Sequence, residues 1–100
     1  MEEKKKIDID DFVIHYKKLF NIGADRRYGK RELSRLKAFT LACKMFGYSV
    51  NRTAQAINKH HTTLLHHLKH INKIDVFLAD ILVMTYIGHL EWRKQNEQHG

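Results

Sequence analysis

At 100 residues, 43% hydrophobic and 29% charged, the chain is read as one globular domain rather than a disordered segment. Eighteen Lys and Arg against eleven Asp and Glu leave a net charge of +7, which favours a polyanionic partner such as nucleic acid or an acidic surface. A single cysteine, Cys43, excludes an internal disulfide and a Cys-based zinc finger, and with no Pro and five Gly the chain lacks the punctuation of a sandwich or barrel.

The expectation is therefore an all-α fold, a compact bundle of about five helices ending in a long one. Met1 to Lys6 read as a flexible start, residues 7–90 as the domain, and residues 91–100 as a polar end that frays. Charged Met1 to Lys6 lead into Ile7-Asp8-Ile9-Asp10-Asp11 rather than an apolar leader. The longest apolar stretch, Val76 to Gly88, contains Asp80 and falls short of the roughly 20 residues a membrane span needs. A cytoplasmic protein with a reduced thiol is expected.

The first helix is predicted from Asp8 or Asp10 to Phe20. Its start carries Asp8, Asp10 and Asp11 for capping and dipole charge, and Phe12, Tyr16, Leu19 and Phe20 recur at helical spacing. Asn21-Ile22-Gly23 is the stop, and Ala24 to Lys30 reads as a basic loop. A second helix is predicted over Glu32 to Phe46, with Leu33, Leu36, Phe39, Ala42, Cys43 and Phe46 on one face and Gly47 ending it. Ser49 is a candidate cap for a short helix, Val50 to Ile57. Asn58-Lys59-His60 is a polar break, and His61 to about Asn72 resumes helical period through Leu64, Leu68 and Ile71. A short helix, a tight turn and a second amphipathic helix with polar residues outward is the outline of a helix-turn-helix. The last helix is predicted from Asp75 to about Gln95. Phe77, Leu78, Ile81, Leu82, Met84, Tyr86 and Ile87 cover more than one of its faces, so it is either central to the core or partly buried by another chain.

From Thr53 to Ile71 the chain reads TAQAINKHHTTLLHHLKHI, which resembles the signature of the C-terminal DNA-binding domain of the bacterial replication initiator DnaA. Ala54 and Ile57 match that family's small and apolar positions, Lys59 its basic turn residue, and His61-Thr62-Thr63-Leu64-Leu65 its core block, with Ile71 closing the match. Residues 7 to 80 can be laid along the family's domain without large gaps. The chain departs from the pattern at His60, where the family has an acidic residue, at His67, where it has a small one, and at Thr53, where it has isoleucine. It also carries no ATPase module and no Gly-rich phosphate loop, so a stand-alone domain rather than a complete initiator is expected, without bound ATP. The resemblance implies that His61, Thr62 and Thr63 meet the major groove and that the basic loop meets phosphates and a neighbouring minor groove.

The residues themselves support that chemistry. Arg26, Arg27, Lys30, Arg31, Arg35 and Lys37 crowd six cations into twelve positions, suited to neutralising phosphates and releasing counterions; the plainer reading is a solvated charged face. Threonine offers a hydroxyl for phosphate or base edges and a methyl for thymine, while Thr62 and Thr63 also suit helix capping. The full DNA-contacting set comprises Arg26, Arg27, Lys30, Arg31, Arg35, Lys59, His60, His61, Thr62, Thr63, His66 and Lys69. His60, His61, His66, His67 and His70 lie within eleven residues, and His66 and His70 stand at the spacing that binds zinc or nickel; a tight site needs a third ligand and no Cys or carboxylate lies in the cluster, so only adventitious metal binding is expected and no cofactor is assigned. Mild acid would protonate these histidines and tighten nonspecific DNA binding. Tyr28 and Trp92 suit base stacking or ordinary packing, and Cys43 reads as core. No residue constellation points to an enzyme.

The expectation is a sequence-specific binder of double-stranded DNA that regulates transcription or replication, chromosomal or encoded by a phage or mobile element. The alternative is an interaction module whose apolar last helix forms a homodimer or docks a partner. The two combine if a dimer sets two recognition helices on neighbouring half-sites.

Overall fold

The structure is a computed structural model that describes residues 7–21 and 30–99. Five helices follow one another: α1 (Ile9–Leu19), α2 (Lys30–Met45), α3 (Val50–Ala56), α4 (His61–Lys69) and α5 (Lys73–His99). No strand occurs among the described residues, so the expected all-α bundle with a long last helix is the fold. Met1 to Lys6, Ile22-Gly23 of the first stop signal, and the loop from Ala24 to Gly29 lie outside the described residues. No helix among the described residues is long and apolar enough to cross a membrane.

The helix ends follow from local chemistry. Asp8 caps α1 by accepting from the Asp10 N–H at 3.0 Å, and Ser49 caps α3 by accepting from the Arg52 N–H at 3.1 Å. After α2, Gly47 takes φ 96°, and its N–H and that of Tyr48 return to the carbonyls of Lys44 and Cys43. This paired closure needs a left-handed residue, which glycine adopts without a Cβ clash.

Helix α2 starts at Lys30, two residues before the expected Glu32, and the end of α4 and both ends of α5 also differ from expectation. α4 stops at Lys69 rather than Asn72, because Asn72 is committed to the next helix. Its side chain accepts from the Asp75 N–H at 3.0 Å while its own N–H donates to Asp75 Oδ2 at 3.1 Å. That reciprocal pair satisfies two otherwise orphaned donors and starts α5 at Lys73, two residues earlier than the apolar period indicates. At the other end α5 runs on to His99, past the residues expected to fray. Glu91, Arg93, Lys94 and Gln95 are good helix formers, and Arg93 is tied to Asp11 of α1 at 3.2 Å.

The core joins α1, α2 and α5. Phe12 is fully buried and packs on Phe39 (centroids 5.4 Å apart), Phe46 (5.3 Å) and Tyr86 (4.9 Å), and Tyr16 stacks on Phe39 at 4.5 Å. Helix α2 is the central element: Leu36, Ala38, Phe39, Thr40, Ala42 and Cys43 are all buried, and α2 touches α3, α4 and α5. Burial pushes the Cys43 thiol up to about 12, so it stays a protonated core group, as its position on the apolar face implies. The Tyr86 hydroxyl donates to Asp11 Oδ2 at 2.7 Å. That bond, with Arg93, holds the Asp11 carboxyl below its usual range against the opposing effect of burial.

Helix α5 is not central. It buries Asp75, Ala79, Leu82 and Tyr86 against the bundle and leaves Ile74, Phe77, Met84, Ile87 and Trp92 exposed. The remaining helices, α3 and α4, pack on each other, and α4 rests on α2. That arrangement lifts one face of α4 clear of the bundle.

Candidate nucleic-acid interface

Helices α3 and α4 are joined by four residues, Ile57 to His60. Asn58 takes the left-handed conformation at φ 56°, and its N–H and that of Lys59 return to the carbonyls of Gln55 (3.2 Å) and Ala54 (2.9 Å). Asn tolerates this conformation better than other non-glycine residues, so an asparagine there closes α3 tightly enough to turn the chain straight into α4. Thr53 is buried in α3 and returns its hydroxyl to the Ser49 carbonyl at 2.8 Å, which satisfies a polar group at a position facing the core.

The cap of α4 is His60, not a threonine. Its Nδ1 accepts from the Thr62 N–H at 3.3 Å and lies 2.8 Å from the Thr62 hydroxyl. The accepting nitrogen must be unprotonated, so this cap belongs to the neutral ring. His60 stacks on His61 with centroids 5.1 Å apart. An imidazole here caps the helix without placing a negative charge at its start.

Leu64 is fully buried, His67 is 7% exposed and Leu68 is half-buried, and these three anchor α4. Around the rest of the helix His61, Thr62, Thr63, His66 and Lys69 are all exposed, within one two-and-a-half-turn helix. Lys59 is half-buried in the turn just before it. His66 and His70 have centroids 4.5 Å apart, yet no group of three or more His, Cys, Asp or Glu among the described residues is arranged to hold a metal ion. Sequence reasoning missed Leu65, which is 44% exposed on this same polar face. The signal is present in the Leu64-Leu65 pair, since neighbouring positions lie about 100° apart around a helix and a short surface helix buries only one side.

The basic set divides. Arg35 is turned into the fold: its guanidinium donates to the Phe20 carbonyl at 3.2 Å and lies 4.9 Å over the Phe20 ring. It closes the C-terminal end of α1. Lys37 donates to the His70 carbonyl at 3.2 Å and so holds the end of α4. Lys30 and Arg31 lie in the first turn of α2, and Arg26 and Arg27, with Tyr28, lie outside the described residues. Trp92 is 61% exposed and stacks on His89 at 6.0 Å, at the far end of α5.

His67 is the unusual member of the helix. Its Nδ1 and Asp75 Oδ1 are buried without a hydrogen-bond partner. Burial lowers the His67 pKa from the ordinary 6.5, Lys37, His66 and Lys59 push the same way, and Asp75 opposes them. His15 of α1 is lowered too, by burial and His89 against Asp11. For both rings the unfolded chain binds protons more readily than the folded one. Stability from them is complete above about pH 6.5 and is lost as pH falls toward the lowered folded values. The thermal midpoint is therefore expected to drop between pH 7.5 and pH 5.5. His67→Leu removes an unpartnered buried polar atom, so it is expected to flatten that dependence without loss of stability at pH 7.5, read by circular dichroism melts. Comparison of the chain with protein-family models, curated proteins and solved structures returns no match.

Proposed function

We propose that the chain is a helix-turn-helix DNA-binding protein, similar in plan to the C-terminal domain of DnaA, in which α4 enters the major groove of duplex DNA. The observation that carries this reading is the division of α4 between a buried anchor, Leu64 and His67, and an exposed row of His61, Thr62, Thr63, His66 and Lys69. Threonine hydroxyl and methyl groups, histidine ring nitrogens and the Leu65 side chain match the mixed donor, acceptor and methyl pattern of a major-groove edge. The net charge of +7 supplies the phosphate attraction. Arg26, Arg27, Lys30, Arg31 and Lys59 are assigned to the phosphates, whereas Arg35 acts by holding the end of α1 in place. The protein then acts by occupying, competing for or recruiting to its sites in the cytoplasm, as a regulator of transcription or replication and not as an enzyme.

The test is titration of labelled duplexes, one carrying a DnaA-type box and one scrambled. Box-selective binding is expected, with affinity falling about 100-fold or more as salt rises from about 50 to about 200 mM. Neutralising Arg26, Arg27 and Lys30 together is expected to weaken binding to both duplexes and to reduce the salt slope. Absence of binding to either duplex at low salt would refute the proposal.

A further inference from the structure

Helix α5 carries an apolar stripe that the bundle does not use. Ile74, Phe77, Met84 and Trp92 are 63%, 63%, 71% and 61% exposed, and Ile81 is half-buried between them. Their spacing of three, four or eight residues keeps them on one line of the helix, on the side away from buried Ala79, Leu82 and Tyr86. At those exposures the stripe presents on the order of 500 Å2 of apolar side chain, the upper part of what a monomer leaves in one patch.

Gly88 lies in the same stripe. It sits inside a 27-residue helix, and a Cβ built on it would meet nothing within 4 Å. Glycine in an exposed helix interior disfavours the helix, and neither a turn nor a close neighbour within this chain accounts for it. It leaves a notch among large side chains.

We propose that the partner covering this stripe is a second copy of the chain, with the two α5 helices antiparallel and crossing at Leu82 and Val83. Self-complementarity argues for this occupant. When α5 is turned end for end about that point, Phe77 falls opposite Gly88, so the large ring meets the notch. Ile81 falls opposite Met84, and Ile74 lies one residue from opposite Trp92. The same register sets exposed Lys73 beside exposed Glu91 at both ends. Lys73 and Glu91 are eighteen residues apart, five helical turns, so they share one line on the helix and meet across a twofold axis. Apolar layers, notch and opposite charges thus agree on one register to within one residue.

Such an interface buries about 1,000 Å2 in total, the lower limit for a specific contact, so dissociation in the micromolar range is expected. The inference stands independently of the DNA reading.

Sedimentation of the full chain without DNA, from about 1 to about 500 μM, tests it. Concentration-dependent dimerisation is expected. Phe77→Glu and Gly88→Glu are each expected to weaken it at least about 10-fold while leaving the helical circular dichroism intact. Lys73→Glu and Glu91→Lys should each weaken it by about 2–30-fold, since every dimer holds two such pairs, and the combined variant should recover. Gly88→Ala separates folding from association, because it is expected to raise the melting point of dilute protein by about 4–8 °C yet loosen the dimer. A monomer at every concentration would overturn the proposal and leave the stripe to a different polypeptide. A dimer indifferent to Phe77→Glu and Gly88→Glu, or a double charge swap no tighter than the single ones, would overturn it as well.

Discussion

Phe12→Ala is expected to lower the unfolding free energy by about 3–5 kcal/mol, the largest effect of any single truncation in the fold. The ring is fully buried and is the one side chain that stacks or packs edge-on against Phe39, Phe46 and Tyr86, which come from α2, the turn after it, and α5. Removing it opens a cavity lined by other aromatic rings, which cannot collapse without losing their own contacts. A domain of this size has only about 5–15 kcal/mol in hand, so the melting point is expected to fall by about 12 °C or more. Met45→Ala removes a side chain that is 51% exposed at the end of α2, and is expected to change stability by no more than about 0.5 kcal/mol. Thermal melts of the two variants beside the parent check both figures.

The second large effect concerns recognition. Thr62→Ala combined with Thr63→Ala is expected to cost about 2–6 kcal/mol of affinity for a specific duplex, at about 1–3 kcal/mol for each lost base contact, and to erase discrimination against a scrambled one. Both side chains are exposed, so little of that loss can come from unfolding. Thr62 does bond His60, but the His60 cap also accepts from the Thr62 backbone N–H, which alanine retains. Salt-dependent binding to any duplex is expected to persist, since it depends on cations elsewhere in the chain. Paired titrations of a specific and a scrambled duplex, with a melt of the double variant, separate the outcomes. A loss of stability equal to the loss of affinity would assign these threonines to the fold.

Much of this architecture is legible in the residues. Apolar residues at helical spacing locate the helices, Ser49 and Asp8 mark two starts, and Gly47 and Asn58 mark two ends, because each of these residues supplies a bond or a backbone angle that few others can. The least legible features are those where a polar side chain works over a distance that sequence does not display. Arg35 belongs to a run of cations, yet its guanidinium closes α1 fifteen residues earlier in the chain. Asn72 and Asp75 look like the frayed end of one helix and the start of another, and are in fact a reciprocal cap. His67 follows Leu64 by three residues and so shares its inward face, but a histidine at that place reads as polar until its burial is seen. The composition of the end of α5 points to fraying, and the tie between Arg93 and Asp11 that holds it spans most of the chain.

The reading of α4 as the recognition element is tested most directly by backbone amide resonances of the isotope-labelled chain as duplex DNA is added. Work at protein concentrations below the onset of self-association keeps the α5 stripe out of the comparison. The largest shifts are expected at His60 to Lys69 and at the start of α2, with Phe77 to Trp92 unmoved. Shifts confined to α5, or α4 amides that stay in place at saturating duplex, would contradict it.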